Sequence, residues 1–184
     1  MPELLVVLLI MAIIAVIALP QIAASRRQFK FSGMQRQIAA TLTEARQQAM
    51  SQRRAVTFRY DNAGKRTILY GGSFGAISDP KNQIEMLAGS GISEAEITYG
   101  RPSGVSVNAL RDGSNLTSLN ANTLDVTFQP DGSVIDAANN PTNTALFFYH
   151  NLYPQKMAFA VSILGAGGRV KIWRYSENVN EYVE

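Results

Sequence analysis

Sixteen apolar residues in a row, 4–19, open the chain, and no other stretch of it is patterned that way. A helix apolar on every side has no polar face for water, so it belongs in a core or in lipid. From Ile22 onward the apolar residues thin to a helical period. Phe31, Met34, Ile38, Leu42, Ala45 and Ala49 recur at spacings of 3, 4, 4, 3 and 4, with Arg36, Gln37, Glu44, Arg46, Gln47 and Gln48 between them. That is a single stripe on one face, with good helix formers opposite. The two patterns join into one predicted helix of about fifty residues, roughly 75 Å long. Pro20 removes an internal hydrogen bond and is expected to kink or loosen it; Gly33 is a second soft point.

Three readings compete for residues 1–24. A buried core helix is disfavoured, because one face of a small domain cannot cover an all-apolar segment. A cleavable secretory signal has its small residues at Ala23-Ala24-Ser25, but Met1-Pro2-Glu3 lacks the basic start of such a signal. Cleavage there would also sever the helix. A membrane helix that stays is preferred. Residues 4–19 alone rise about 24 Å, and continuing to Ala24 reaches the ~30 Å of a hydrocarbon core before Arg26 and Arg27 mark the exit into water.

After the helix the period drops to two. Val56, Phe58 and Tyr60 alternate with Thr57 and Arg59, Asp61–Gly64 forms a turn, and Thr67–Tyr70 returns as a hairpin arm. Residues 71–95 are rich in Gly and Ser and predict an irregular excursion with a short strand at Ile84–Leu87. Further strands are expected at Glu96–Tyr99, Val105–Leu110, Leu124–Gln129, Ser133–Asp136, Thr144–His150, Ala158–Leu164 and Arg169–Tyr175, with 176–184 a polar tail. The fold class is α+β: a long N-terminal helix, its membrane segment continuing into an amphipathic half, packed on an antiparallel β-sheet domain. The divisions are 1–24 (transmembrane or filament-core helix), 25–54 (amphipathic continuation) and 55–184 (β-rich head).

Charge sharpens this division. Residues 20–66 carry ten Lys or Arg against two acids, whereas 67–184 carry seven against eleven. The basic cluster Arg26, Arg27, Lys30 and Arg36 suits anionic lipid headgroups beside a membrane helix. Catalytic chemistry finds little support. There is no cysteine and one histidine, His150, which ends an apolar strand and is expected to be packed. Gly165–Gly168 is glycine-rich, but no Lys-Ser/Thr follows and no helix opens there, so it is a hairpin turn and not a phosphate loop. Asp61 and Asp131 stand in turn sequences, and Asn115-Leu-Thr117 is a sequon of little specificity. No catalytic, cofactor or metal site is expected, and the chain is read as non-enzymatic.

Two features resemble a known family. Glu3-Leu4-Leu5-Val6-Val7, the apolar run behind it and Ala18-Leu19-Pro20 resemble the N-terminal segment of type IV pilins and type II secretion pseudopilins. The chain departs from that pattern before Glu3, where Met1-Pro2 replaces the basic leader, Gly and Phe; an upstream start or a trimmed chain is expected. In the body, Phe128-Gln-Pro130-Asp-Gly132 and Gly168-Arg169-Val170-Lys171 resemble the Phe-x-Pro-x-Gly turn and closing Gly-Arg-x-Arg of the GspH/FimT subgroup, with Lys for the second Arg. Residues 71–122 match nothing in it. The resemblance implies a minor pilin or pseudopilin of a type IV pilus or type II secretion filament, single-pass in a bacterial inner membrane with its head in the periplasm. It implies as partners other pilin or pseudopilin subunits, the inner-membrane assembly platform, membrane lipid and, in DNA-uptake members, DNA. N-terminal methylation and a part in protein transport belong to the same expectation.

Two residue groups are the site candidates. Glu3 is an acid at the mouth of an apolar run, expensive in lipid or a filament core unless paired with a positive group, such as a neighbouring subunit's amine. Pilin-like proteins use that pairing for subunit registry. On the last predicted strand, alternation groups Arg169, Lys171, Trp173 and Tyr175 on one face, with Arg174 opposite. Cations and aromatics together suit phosphate contact and base stacking; the bland alternative is an edge strand kept soluble by its charges.

Overall fold

The computed structural model of the chain describes residues 2–72, 78–85, 94–105, 110–136 and 138–184. One α-helix, α1, runs unbroken over Pro2–Gln52, through both Pro20 and Gly33. Arg53 closes it in the left-handed conformation (φ 50°), and the Arg54 N–H returns to the Ala49 carbonyl at 3.2 Å.

The head is two antiparallel five-stranded sheets. The first contains β1 (Val56–Asp61), β2 (Arg66–Gly71), β3 (Ser78–Glu85), β5 (Thr123–Phe128) and β6 (Val134–Ile135), in the order β3-β2-β1-β5-β6. The second contains β4 (Ile97–Tyr99), β7 (Thr144–His150), β8 (Ala158–Leu164), β9 (Arg169–Ser176) and β10 (Glu181–Val183), in the order β10-β9-β8-β7-β4. Register within the first sheet is reinforced where Arg59 faces Asp125 across β1 and β5. Its Nε and Nη2 donate to the two carboxylate oxygens, both at 2.6 Å. Beneath them Thr57 and Thr127 share a buried 2.9 Å hydrogen bond.

α1 packs on β1, β2 and β5 of one sheet and on β8 and β9 of the other. All six residues of the predicted stripe are buried, Ile38, Leu42, Ala45 and Ala49 completely. They share the main core with Phe58, Tyr60, Phe128, Phe148, Phe159 and Val161. Phe31 sets its lower limit, edge-on to Phe159 with ring centroids 5.0 Å apart. A second, smaller core lies in the other sheet group: Leu110, Ala145, Phe147, Ala160, Trp173 and Tyr182.

Several expectations need correction. Residues 78–85 form an eight-residue strand, β3, despite Pro80; the register slips at Leu69/Tyr70 and Tyr70/Gly71, and an edge position tolerates the missing N–H. Of the strand expected at Ile84–Leu87, 86–87 lie outside the described residues, as do 106–109 of Val105–Leu110. The polar tail is not a tail: β10 pairs Tyr182 with Tyr175, and Tyr182 is buried edge-on to Phe147 at 5.1 Å. One large aromatic suffices to hold three residues on a sheet whose outer face still needs cover.

Candidate filament and nucleic-acid surfaces

Glu3 lies in the first turn of α1, where a carboxylate meets the positive end of the helix dipole, and its side chain is exposed. Behind it Val6, Val7, Leu9, Ile10, Met11, Ile13, Ile14 and Val16 are each at least half exposed. Among the described side chains, burial against the head begins at Phe31; Phe29, two residues earlier, is 75% exposed. The helix is therefore half buried stripe and half uncovered apolar rod. Among the described residues no helix is long and apolar enough to cross a membrane. Within the expected membrane segment, the side chains of 1, 2, 4, 5, 8, 17–20, 23 and 24 are outside the described residues.

On β9 the structure separates the grouped residues. Arg169 is exposed. Lys171 is paired at 2.7 Å with Glu184, its Nζ 5.2 Å from the Trp173 ring centre. Trp173 is 2% exposed. Its Nε1–H donates to Ser162 Oγ at 2.8 Å, and the Ser162 hydroxyl donates to Asp112 Oδ2 at 2.5 Å. Alternation grouped these side chains on the correct face, but that face is covered by Leu110, Leu116 and Tyr182 instead of facing water. Trp173 is thus a core residue, not a stacking platform. Tyr175 is half buried, its hydroxyl donating to Asn180. Arg174, on the face of Val170 and Ile172, is exposed.

The two glycine motifs meet in space. Gly132 (φ 83°) closes the β5–β6 turn, where Asp131 Oδ1 accepts from the Ser133 N–H at 2.9 Å and hydroxyl at 2.7 Å. These hydrogen bonds, the hydroxyl's above all, hold the Asp131 carboxyl below the usual carboxylate range. Gly168 (φ 57°) closes the β8–β9 turn directly against it: a side-chain carbon at Gly168 would fall on the Gly132 carbonyl oxygen. At either glycine such a carbon would also come within 3.1 Å of Arg46 Nε on α1. The Val134 N–H, bonded to the Gly165 carbonyl at 2.8 Å, ties the two sheets at the same point. The motifs form one junction of helix and both sheets, which their separation in sequence concealed. Among the described residues no group of three or more His, Asp or Glu is placed to hold a metal ion.

Known proteins share this fold. Residues 35–167 match the family described as Type II transport protein GspH. Two crystal forms of the type IV minor pilin FimU from Pseudomonas aeruginosa are similar at 20% identity. The better-matching one has a TM-score of 0.51, covering 77% of this chain and 87% of that one. The minor pseudopilin EpsH from the type 2 secretion system of Vibrio cholerae reaches 0.45 at 10% identity, covering 75% of this chain and 91% of that one. No curated protein matches the chain. At these identities the solved structures speak for the fold alone, and the family rests on the match across most of the head: the chain belongs to the GspH family, the minor pilin and pseudopilin group.

Proposed function

We propose that the chain is a non-enzymatic filament subunit that waits in the bacterial inner membrane, head in the periplasm, and is drawn into a pilus or secretion filament. One observation carries the reading: α1 is continuous over Pro2–Gln52, yet none of its described side chains before Phe31 is buried. An apolar helix whose described side chains are left exposed by its own fold fits lipid before assembly and neighbouring helices after it. Glu3 then serves registry: buried among apolar helices, it gains only where a positive group of the next subunit meets it. Glu3→Ala makes the segment more apolar, so insertion persists while incorporation into filaments fails. The measurement is membrane fractionation beside filament incorporation, in a chain given a peptidase-cleavable leader; normal incorporation refutes the registry role. The platform proteins of the filament machine are the further partners on this reading.

DNA capture is the second reading, favoured by one observation: Arg169 and Arg174 of β9 are both exposed. They point to opposite faces, and the stacking residue is gone into the core. Binding through them is sequence-independent and weakens steeply with salt, and an Arg169→Ala/Arg174→Ala double variant reduces it. Equal DNA affinity of variant and parent at two salt concentrations excludes the patch.

A further inference from the structure

The loop between β7 and β8, residues 151–157, carries side chains the family reading leaves unused. Leu152 is 61% exposed and Tyr153 43%. This exposure is built in. The Leu152 N–H donates to Nδ1 of the buried His150 at 3.2 Å. The Tyr153 N–H returns to the His150 carbonyl at 3.1 Å, and the Met157 N–H to the Tyr153 carbonyl at 2.9 Å. The loop is therefore a fixed projection, anchored by the buried Met157, with Leu152 and Tyr153 turned outward.

Its position is equally defined. Tyr153, Lys156 and Met157 line a cleft of about 560 Å³ together with Arg27 of α1, Tyr175 and Glu177. The projection thus sits beside the turn of α1 where the uncovered rod meets the head. Residues 4–24 rise about 30 Å, the thickness of a hydrocarbon core. Arg27 lies three residues, about 4–5 Å, further along, inside the ~6 Å headgroup layer. No ion pair among the described residues involves Arg26, Arg27 or Lys156.

We infer that the 151–157 loop is a second membrane contact: Leu152 and Tyr153 enter the interface of an anionic bilayer while Lys156, Arg26 and Arg27 meet its phosphates. The chemistry matches the depth. A tyrosine ring suits the headgroup boundary, a leucine gains on leaving water, and cations there gain from anionic lipid. Glu177, which also lines the cleft, works against phosphate near its own carboxylate and favours contact through Arg27 and Lys156. The contact fixes the head's tilt and rotation over the bilayer, which a single helix leaves free. It rests on the membrane reading above, so its test must separate the two.

Because the chain has no cysteine, one introduced thiol labels a single site. Ile10→Cys, Leu152→Cys and Ala166→Cys are each labelled with an environment-sensitive fluorophore. The full chain is then reconstituted into phosphatidylethanolamine/phosphatidylglycerol vesicles doped with nitroxide-bearing lipid. Ile10 reports the rod, Leu152 the loop, and Ala166 the opposite end of the head. The expected result is quenching at 10 and 152 but not at 166, with the quenching at 152 at least halved when Lys156→Glu is added. Quenching at 10 without quenching at 152 overturns this inference and leaves the membrane reading standing. Quenching at neither site overturns both. Undiminished quenching at 152 with Lys156→Glu, or equal quenching in purely phosphatidylcholine vesicles, overturns the anionic part of the assignment.

Discussion

Gly168→Ala isolates the junction where the two glycine motifs meet. The substitution adds one methyl group to a residue held at φ 57°, in the left-handed region. That backbone costs alanine about 1 kcal/mol. The methyl then falls on the Gly132 carbonyl oxygen, which belongs to another turn and cannot rotate away as a side chain would. Relief requires the β5–β6 and β8–β9 turns to part. Parting them strains the 2.8 Å bond from the Val134 N–H to the Gly165 carbonyl, at about 1 kcal/mol, and loosens the packing of Arg46 beneath both turns. The sum is about 2–4 kcal/mol, or a fall in Tm of roughly 5–15 °C for a chain of this size. Gly167→Ala is the control, because a methyl there meets nothing within 4 Å and the residue has no positive φ. The assay is thermal unfolding of the full chain in mild detergent, followed by far-ultraviolet circular dichroism. If Gly168→Ala melts within about 1 °C of Gly167→Ala, the junction carries no strain and the reasoning fails.

Two further outcomes follow from buried polar groups. Burial lowers the pKa of His150 from its ordinary value, against the opposing pull of Glu96, whose carboxylate lies 3.4 Å from Nε2. The unfolded chain therefore binds the proton more readily, and stability present above about pH 6.5 is lost as pH falls through the folded-state value, by at most ~1.4 kcal/mol per pH unit. Melting temperatures between pH 8 and pH 5 check this, and an acid-side slope unchanged in His150→Phe refutes it. Tyr182→Ala empties the centre of the second core and costs about 3 kcal/mol in denaturant unfolding, while Tyr182→Phe is neutral or stabilising, because the buried Tyr182 hydroxyl has no hydrogen-bond partner among the described residues. A Tyr182→Ala protein as stable as the parent shows β10 to be the disposable tail its composition suggests.

The helix was legible because its signal is carried by residue type and period alone. A stripe spaced 3, 4, 4, 3, 4 has only one helical face to occupy, and each of its residues is buried. β7 and β8 were legible to the residue, since both are apolar runs ended by turn formers. What was hidden depends on partners distant in sequence. Trp173 alternates with Val170 and Ile172 as a half-exposed strand should, and nothing local announces that Leu110, Leu116 and Tyr182 cover its other face. β10 offers one large apolar residue in a charged stretch, too little for a period. The Arg59–Asp125 pair and the meeting of Gly132 with Gly168 are facts of register, and a single sequence does not record register. Glu3 was conspicuous for the opposite reason: an acid before sixteen apolar residues needs no partner to be noticed.

A helix bridging two sheets also determines how the head takes load. On the filament reading proposed above, tension in the fibre would reach each subunit along its helical shaft. From Phe31 to Ala49 that shaft lies against both sheets for about 27 Å, gripped by apolar side chains. A pull along the axis is therefore shared by two sheets and spread over five turns of contact, acting in shear. No single strand end is peeled from its neighbour one hydrogen bond at a time. Where the shaft's contact ends, the Gly132–Gly168 junction holds the sheets to each other, so they are dragged as one body instead of being prised apart.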